Sequence, residues 1–329
     1  MNQTPPEPAP PRDGRAPFFS DALRAVFFKI YFNDKGRLRS GWRLLIFAAL
    51  FFFVASFVQF AVFLAAGGRD GAVQFFETVY GDALNRVLLL AVVTGVGWLC
   101  GYVLESLPPR ALGWSTHRGW LRDFAFGSLV GIGTLLLAVL AGTFFGGYSF
   151  SLAGREALPA VFKTLALAAA FFVVAGAAEE ALFRGYPLQT LLRSVPAWVP
   201  LLLTAVLFGA VHLSNPNASP GLPFVNTVLA GVWLAAAYLR TRSLWFPTGV
   251  HWAWNWTLGP VVGLPVSGLK MLSRDPLVQA ADRGPAWLTG GDYGVEGGAI
   301  CTVALLLSTL FIWRTRLLRA DPELKRLTD

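Results

Sequence analysis

Between residues 44 and 313 the chain alternates long apolar runs with short polar connectors, and the runs have the length a bilayer demands. A helix crossing the hydrocarbon core needs roughly 17–25 mostly apolar residues. Eight stretches approach that length: 44–66, 84–104, 124–145, 162–192, 198–215, 222–239, 244–260 and 298–313. The pattern predicts an all-α, polytopic membrane protein of about eight transmembrane helices. No stretch repeats another in the manner that builds many transporters. Ahead of the first run, residues 1–17, "MNQTPPEPAPPRDGRAP", are Pro-rich and lack an apolar core, which reads as a disordered tail and not as a cleavable signal peptide. Residues 18–43 are different in kind. Leu23, Phe27, Ile30 and Tyr31 recur at helical spacing beside Arg24 and Lys29, the pattern of a basic, amphipathic helix lying in the membrane interface. The chain thus divides into this segment, three helices over 44–145, four helices over 160–260, an outer loop over 261–297, and a last helix with a basic cytoplasmic tail over 298–329. The loop is rich in Pro, Gly and charge and reads as a lid or as a linker.

Charge refines this picture. Only 14% of the residues are charged, against about 25% in soluble domains. The net charge of +8 invites a nucleic-acid reading that its distribution opposes. With the N-terminus in the cytoplasm, 20 of the 27 Lys and Arg fall on the cytoplasmic side, which is the positive-inside asymmetry of a membrane protein. The expectation is therefore a plasma or inner membrane protein with both termini cytoplasmic, a lipid bilayer around it and no nucleic-acid partner. Cys100 and Cys301 lie inside apolar runs without metal-binding spacing and read as small buried hydrophobes. Gly127 and Gly131 form a small-xxx-small pair for helix packing. The first three runs otherwise carry almost no ionisable residue in their interiors.

The fourth run breaks this rule. "AAEEALFRGYPL" (177–188) puts Glu179, Glu180 and Arg184 directly after the apolar "LALAAAFFVVAG". A charge at the centre of a membrane helix costs roughly 2.5–3.5 kcal/mol on the insertion scale, so three are tolerated where they pair or perform chemistry. Arg184 follows Glu180 by four residues, the spacing at which side chains meet on one helix face. Pairing of these two leaves Glu179 the less encumbered carboxylate. The plainer alternative is that all three pin a helix end at the interface.

Two of the three histidines fall in the same region. His212 ends "FGAVH" and His251 opens "HWAWN". Ser194-Val195-Pro196 is the natural turn between the fourth and fifth runs. Glu179 lies 17 residues before Pro196 and His212 lies 16 after it, so at about 1.5 Å rise per residue both sit some 24–25 Å from the turn. Counted from the next turn, near Thr241, Asn255 reaches about 21 Å and His251 somewhat less. Singly, His212 reads as a core histidine, and His251 among Trp252, Trp254 and Trp256 as part of an interfacial aromatic belt. His117, in "GWSTHRGW", reads as a solvated loop residue. Convergence is what favours chemistry: a carboxylate, two imidazoles and a carboxamide at matched depth contain a base, an acid and oxyanion donors.

Several protease chemistries do not fit. HExxH, the zinc helix of metalloproteases, is absent. "PVSG" around Ser267 lacks the glycine two residues before a rhomboid-type serine. "TGGD", ending at Asp292, has no second intramembrane aspartate to partner it. What remains is the order EExxxR at 179–184, FxxxH at 208–212 and HxxxN at 251–255 on successive apolar helices. These three motifs, over about 160–260, resemble those of the CPBP family, the CAAX-protease and bacteriocin-processing intramembrane proteases also called the Abi family.

The resemblance implies that Glu179 and His212 activate a water, that His251 and Asn255 stabilise the oxyanion, and that Glu180 and Arg184 support the site. It also raises a divalent metal such as zinc, for which Glu179, Glu180, His212 and His251 are the possible ligands. The implied function is an intramembrane endopeptidase acting on a peptide or a membrane-anchored protein. A non-catalytic scaffold or immunity protein keeping the polar cluster is the alternative. A proton-coupled carrier using Glu179 and His212 as a relay is disfavoured by the missing repeat.

Overall fold

The computed structural model describes residues 21–270, 273 and 275–328; the tail expected over 1–17 lies outside the described residues. The chain separates into two compact units, residues 1–39 and 40–329. In the first, α1 (Asp21–Tyr31) exposes Leu23, Phe27 and Ile30 of the apolar set read from the sequence, and also Phe28, while Tyr31 is partly buried. A bridge between Phe32 and Leu38 closes the turn that follows.

The second unit is a helix bundle. Its elements are α2 (Ser40–Ala65), α3 (Arg69–Phe76), α4 (Val79–Glu105), α5 (Trp120–Phe144), β1 (Tyr148–Leu152), α6 (Leu158–Phe183), α7 (Tyr186–Leu192), α8 (Trp198–His212), α9 (Leu222–Thr241), α10 (Trp245–Trp256), β2 (Val278–Asp282), α11 (Ala286–Thr289), α12 (Ala299–Arg314) and α13 (Pro322–Thr328). The long helices are apolar all round, as a helix facing lipid on one side and protein on the other must be. Four of them, together with the stretch 155–192, are long and apolar enough to cross a membrane, five candidate spans among the described residues, so this is a multi-pass membrane protein. The helices α8 and α12 are apolar but shorter.

Several expected boundaries shift for physical reasons. The expected 162–192 helix breaks after Arg184, where Gly185 sits so close to the preceding turn that a Cβ there would lie 2.2 Å from the Ala181 carbonyl oxygen. Gln189 Nε2 donates to the freed Arg184 carbonyl at 3.1 Å and to that of Leu112 at 3.2 Å, which satisfies the break. The expected 198–215 helix stops at His212. The expected 244–260 helix ends in a π-turn over Thr257–Val261 that accommodates Pro260.

The all-α expectation holds, with one two-stranded sheet added to it. Antiparallel β1 and β2 pair Tyr148 with Asp282 and Leu152 with Val278, tying the outer loop to the segment between α5 and α6. That loop is neither a bare linker nor irregular throughout. Asn215 Nδ2 donates to Ser267 O at 3.1 Å, Asn226 Nδ2 to Glu296 O at 2.9 Å and Tyr148 OH to Thr289 O at 2.7 Å. These contacts gather at one end of the bundle. At the other end Arg193 Nε donates to Glu105 at 2.8 Å, Arg43 also pairs with Glu105, and Leu244 N donates to Gly113 O at 2.9 Å. His117, expected to be solvated, is there held by Asp123 at 3.1 Å with its side chain 10% exposed.

The helices α5 and α10 touch backbone to backbone. A Cβ at Gly127 would lie 2.2 Å from the Phe246 carbonyl oxygen, one at Gly131 2.3 Å from that of Val250, and one at Gly249 2.2 Å from that of Phe124. The expected glycine pair is therefore a packing device, and its partner is the helix that carries His251 and Asn255. We expect Gly131→Val to destabilise by at least the roughly 1–3 kcal/mol of an overpacked core, whereas Gly133→Ala, with open space around it, leaves stability unchanged or slightly higher. Thermal unfolding of the purified protein in detergent checks this; equal melting temperatures for Gly131→Val and wild type would contradict the close approach.

Candidate active site

The site grows from the last turn of α6. Glu180 and Arg184 are fully buried, and Arg184 Nη1 donates to Glu180 Oε1 at 3.1 Å, the pair expected from their four-residue spacing. Arg184 Nη2 donates to Gly231 O on α9 at 3.0 Å, and its guanidinium carbon lies 4.7 Å from the centre of the Phe208 ring on α8. One side chain thereby joins α6, α8 and α9. Gly231 permits the approach of α8, since a Cβ there would lie 2.7 Å from the Ala205 Cα.

Glu180 Oε1 also accepts from His251 Nδ1 at 2.9 Å, which makes that nitrogen the protonated one and turns Nε2 toward the cavity. The same logic fixes His212. Its Nδ1 lies 2.7 Å from the Phe208 carbonyl oxygen, which only accepts, so Nδ1 carries the proton and Nε2 is turned inward. Both inward nitrogens meet Glu179: its Oε2 is 3.7 Å from His251 Nε2 and 3.9 Å from His212 Nε2. Asn255, one turn beyond His251, lines the same cavity of about 330 Å³. The structure thus brings together all six residues singled out in the sequence.

The cavity opens beyond the end of a short helix. With 15 residues, α8 spans about 22 Å, short of the roughly 30 Å hydrocarbon core. His212 therefore stands at the helix end, and Val266, Ser267 and Leu269 of the outer loop line the hollow beyond it. Trp254 is no interfacial tryptophan: it is 4% exposed and its Nε1 donates to Glu296 Oε1 at 3.0 Å. Trp252 and Trp256 likewise donate inward, to Ser128 and to the Leu165 carbonyl.

Two cavity residues escaped sequence reasoning. Arg86 of α4 puts Nη1 3.7 Å from Glu179 Oε1 while its Nε holds Asp82 at 3.3 Å. Its position near the start of an apolar run makes it look like an ordinary flanking charge. Glu296 accepts from the Ser267 backbone, from Ser267 Oγ at 3.0 Å and from Trp254. Burial raises its pKa, and these hydrogen bonds work against the shift. No local pattern marks a lone loop glutamate as a cavity residue.

Of the four possible metal ligands, Glu180 is engaged by Arg184 and His251, and no group of three His, Cys, Asp or Glu among the described residues is drawn together in the geometry of an occupied metal site. Glu179 and the inward nitrogens of His212 and His251 keep their lone pairs free, each histidine holding its Nδ1 hydrogen on an oxygen as metal-ligating histidines do, and these three would hold a divalent ion.

Residues 160–257 match the family model described as type II CAAX prenyl endopeptidase, Rce1-like. The match runs from the start of α6 to the end of α10 and leaves α2, α4 and the outer loop outside it. No curated protein and no solved structure matches the chain.

Arg184 and Glu180 give a clean test of the buried pair. Removing one partner strands the other in the interior, which typically costs about 3–5 kcal/mol, whereas removing both does not. We expect Arg184→Met, which leaves Glu180 with His251 alone, to lower folded yield more than the double variant Glu180→Gln/Arg184→Met. Size-exclusion recovery and thermal unfolding measure this; a double variant at least as damaged as the single one would refute the pairing argument.

Proposed function

We propose that this chain, whose residues 160–257 match the Rce1-like type II CAAX prenyl endopeptidase model, belongs to the CPBP family of CAAX proteases and is an intramembrane endopeptidase whose attacking water is activated between Glu179 and His212. The observation that carries the proposal is the single carboxylate oxygen, Glu179 Oε2, facing the inward nitrogens of two histidines at 3.7 and 3.9 Å. Those separations are too long for direct hydrogen bonds and suit a water lodged between the groups.

The chemistry follows from the groups present. Glu179, aided by His212, takes a proton from the water as its oxygen attacks the scissile carbonyl carbon. The carbonyl oxygen becomes an oxyanion, which accepts hydrogen bonds from Asn255 Nδ2 and from His251 Nε2 when that imidazole carries both protons. The proton taken from water then passes to the amide nitrogen, the carbon–nitrogen bond breaks, and a carboxylic acid and an amine leave. Glu180 orients His251 through Nδ1 and supports its positive charge. Arg86 holds the other oxygen of Glu179, keeping Oε2 toward the histidines. The substrate class is a peptide or a membrane-anchored protein whose cleavable bond reaches this depth.

We further propose eight crossings with both termini cytoplasmic. The connectors 145–157 and 262–298, joined by β1 and β2, would then lie on the outer side, and the connectors 106–119 and 315–328, joined by the Arg110–Glu323 ion pair, on the inner. Single cysteines at the exposed positions Ser151 and Asp282 should react with an impermeant thiol reagent in whole cells, and cysteines at Arg118 and Glu323 only after lysis. Labelling of Arg118→Cys from outside would overturn this orientation.

Single-turnover cleavage in detergent separates catalysis from architecture. Glu179→Gln and His212→Ala should abolish turnover while melting like wild type. Asn255→Ala should retain activity lowered by about 100- to 1000-fold, the usual loss of one oxyanion donor, with little change in substrate affinity. Arg86→Gln should lower turnover without abolishing it. Full activity in Glu179→Gln would sink the mechanism, and activity lost only together with folding would favour a scaffold.

A further inference from the structure

Away from the candidate active site, a second hollow lies where α9 and α12 end. It has a volume of about 700 Å³ and is lined by six cationic side chains, Arg240, Arg242, Arg314, Arg316, Arg319 and Lys325, with no carboxylate among its lining residues. The acids closest in sequence are occupied elsewhere. Asp321 Oδ1 accepts from the backbone of Glu323 and Leu324 at the start of α13, and Glu323 pairs with Arg110 at 2.9 Å. Arg240 forms the floor: its Nη2 donates to the carbonyls of Thr315 at 2.6 Å and Leu318 at 3.3 Å, and its Nε is buried without a protein partner.

Membrane orientation accounts for the sign of these charges, and the negative ends of α9 and α12 account for a cation at each helix terminus. Neither explains why six cations converge on one concavity, where like charges repel. The rest of the wall supplies a clue. Leu239 and Trp313 line the hollow on the side of the apolar helices, and Trp313 is half exposed. A cationic bowl with an apolar, aromatic lip at the end of membrane helices matches a molecule that has a phosphate at one end and hydrocarbon at the other.

We propose that this hollow binds the phosphate-bearing headgroup of an anionic membrane lipid, with Arg316, Arg319 and Lys325 closing over a phosphate seated toward Arg240. The site is independent of the peptidase chemistry and stands or falls without it.

The test uses the purified full-length chain, stripped of native lipid in a neutral detergent, with dioleoylphosphatidylglycerol, dioleoylphosphatidylcholine or inorganic phosphate added. Phosphatidylglycerol should raise the melting temperature by a few degrees over phosphatidylcholine, as a ligand specific to the folded state does. The gain should shrink at high salt, because these side chains are largely exposed. The double variant Arg316→Gln/Arg319→Gln should lose most of it while melting like wild type in phosphatidylcholine. Should that variant fold poorly, Lys325→Gln should still lose part of the gain. Equal melting temperatures in the two lipids, or an undiminished gain in the variants, would overturn the proposal. An equal gain from inorganic phosphate alone would overturn the lipid assignment in favour of a soluble anion.

Discussion

One buried cation organises the centre of this protein. Arg184 has no access to water, and its compensating contacts lie inside the bundle, with Glu180, the Gly231 carbonyl and the face of Phe208, while its Nε is left without a hydrogen-bond partner. Because a charge in hydrocarbon is so unfavourable unless paired, these contacts are conditions of folding and cannot relax independently. They fix the end of α6, the height of α9 and the position of α8 in one stroke. Glu180, held in turn, presents its Oε1 to His251 and sets which nitrogen of that ring faces the cavity. The orientation of the histidine beside Glu179 is thus inherited from an arginine that does not line the cavity.

The polar cluster is only partly the property of the segment that matches the family. The helices α6 to α10 carry Glu179, Glu180, Arg184, His212, His251 and Asn255. Arg86 reaches the cluster from α4 and Glu296 from beyond β2, each across a long stretch of chain. The matched helices supply these six candidate residues, and the flanking parts decide how Glu179 is held and what closes the hollow above His212.

What could be read in advance follows from how each feature is encoded. Span-length runs, the turn at Ser194–Pro196 and the spacing of the three motifs are local, and helical rise converts them directly into depth. That arithmetic puts Glu179 and His212 at one depth, with Asn255 and then His251 somewhat nearer the cytoplasmic turn, close enough for the four to converge. The glycine pair in α5 was legible for the same reason. Contacts between distant segments were not. Nothing in "YSFSL" announces a partner at 278–282, and nothing near Glu296 announces Trp254. The break after Arg184 was hidden inside an unbroken apolar run, because a glycine in such a run is common. His117 and the tryptophans of α10 were misplaced because composition alone does not tell a surface aromatic or imidazole from one with a buried partner.

The backbone contact between α5 and α10 has a mechanical consequence. Where glycine lets two helices meet without side chains between them, neither can slide without driving a carbonyl into a Cα, so α10 is in effect bolted to α5 and carries His251 and Asn255 as a fixed wall. The opposite wall uses the same device. Short α8 turns Leu202, Leu203, Val206, Leu207 and Val211 outward, and on its inner side Gly231 of α9 lies against the Ala205 backbone while Gly209 lies against Val228 and Phe224. The two histidines facing Glu179 are therefore each carried by a helix that glycine ties to its neighbour, and the distance between them is set by backbone and not by rotamers.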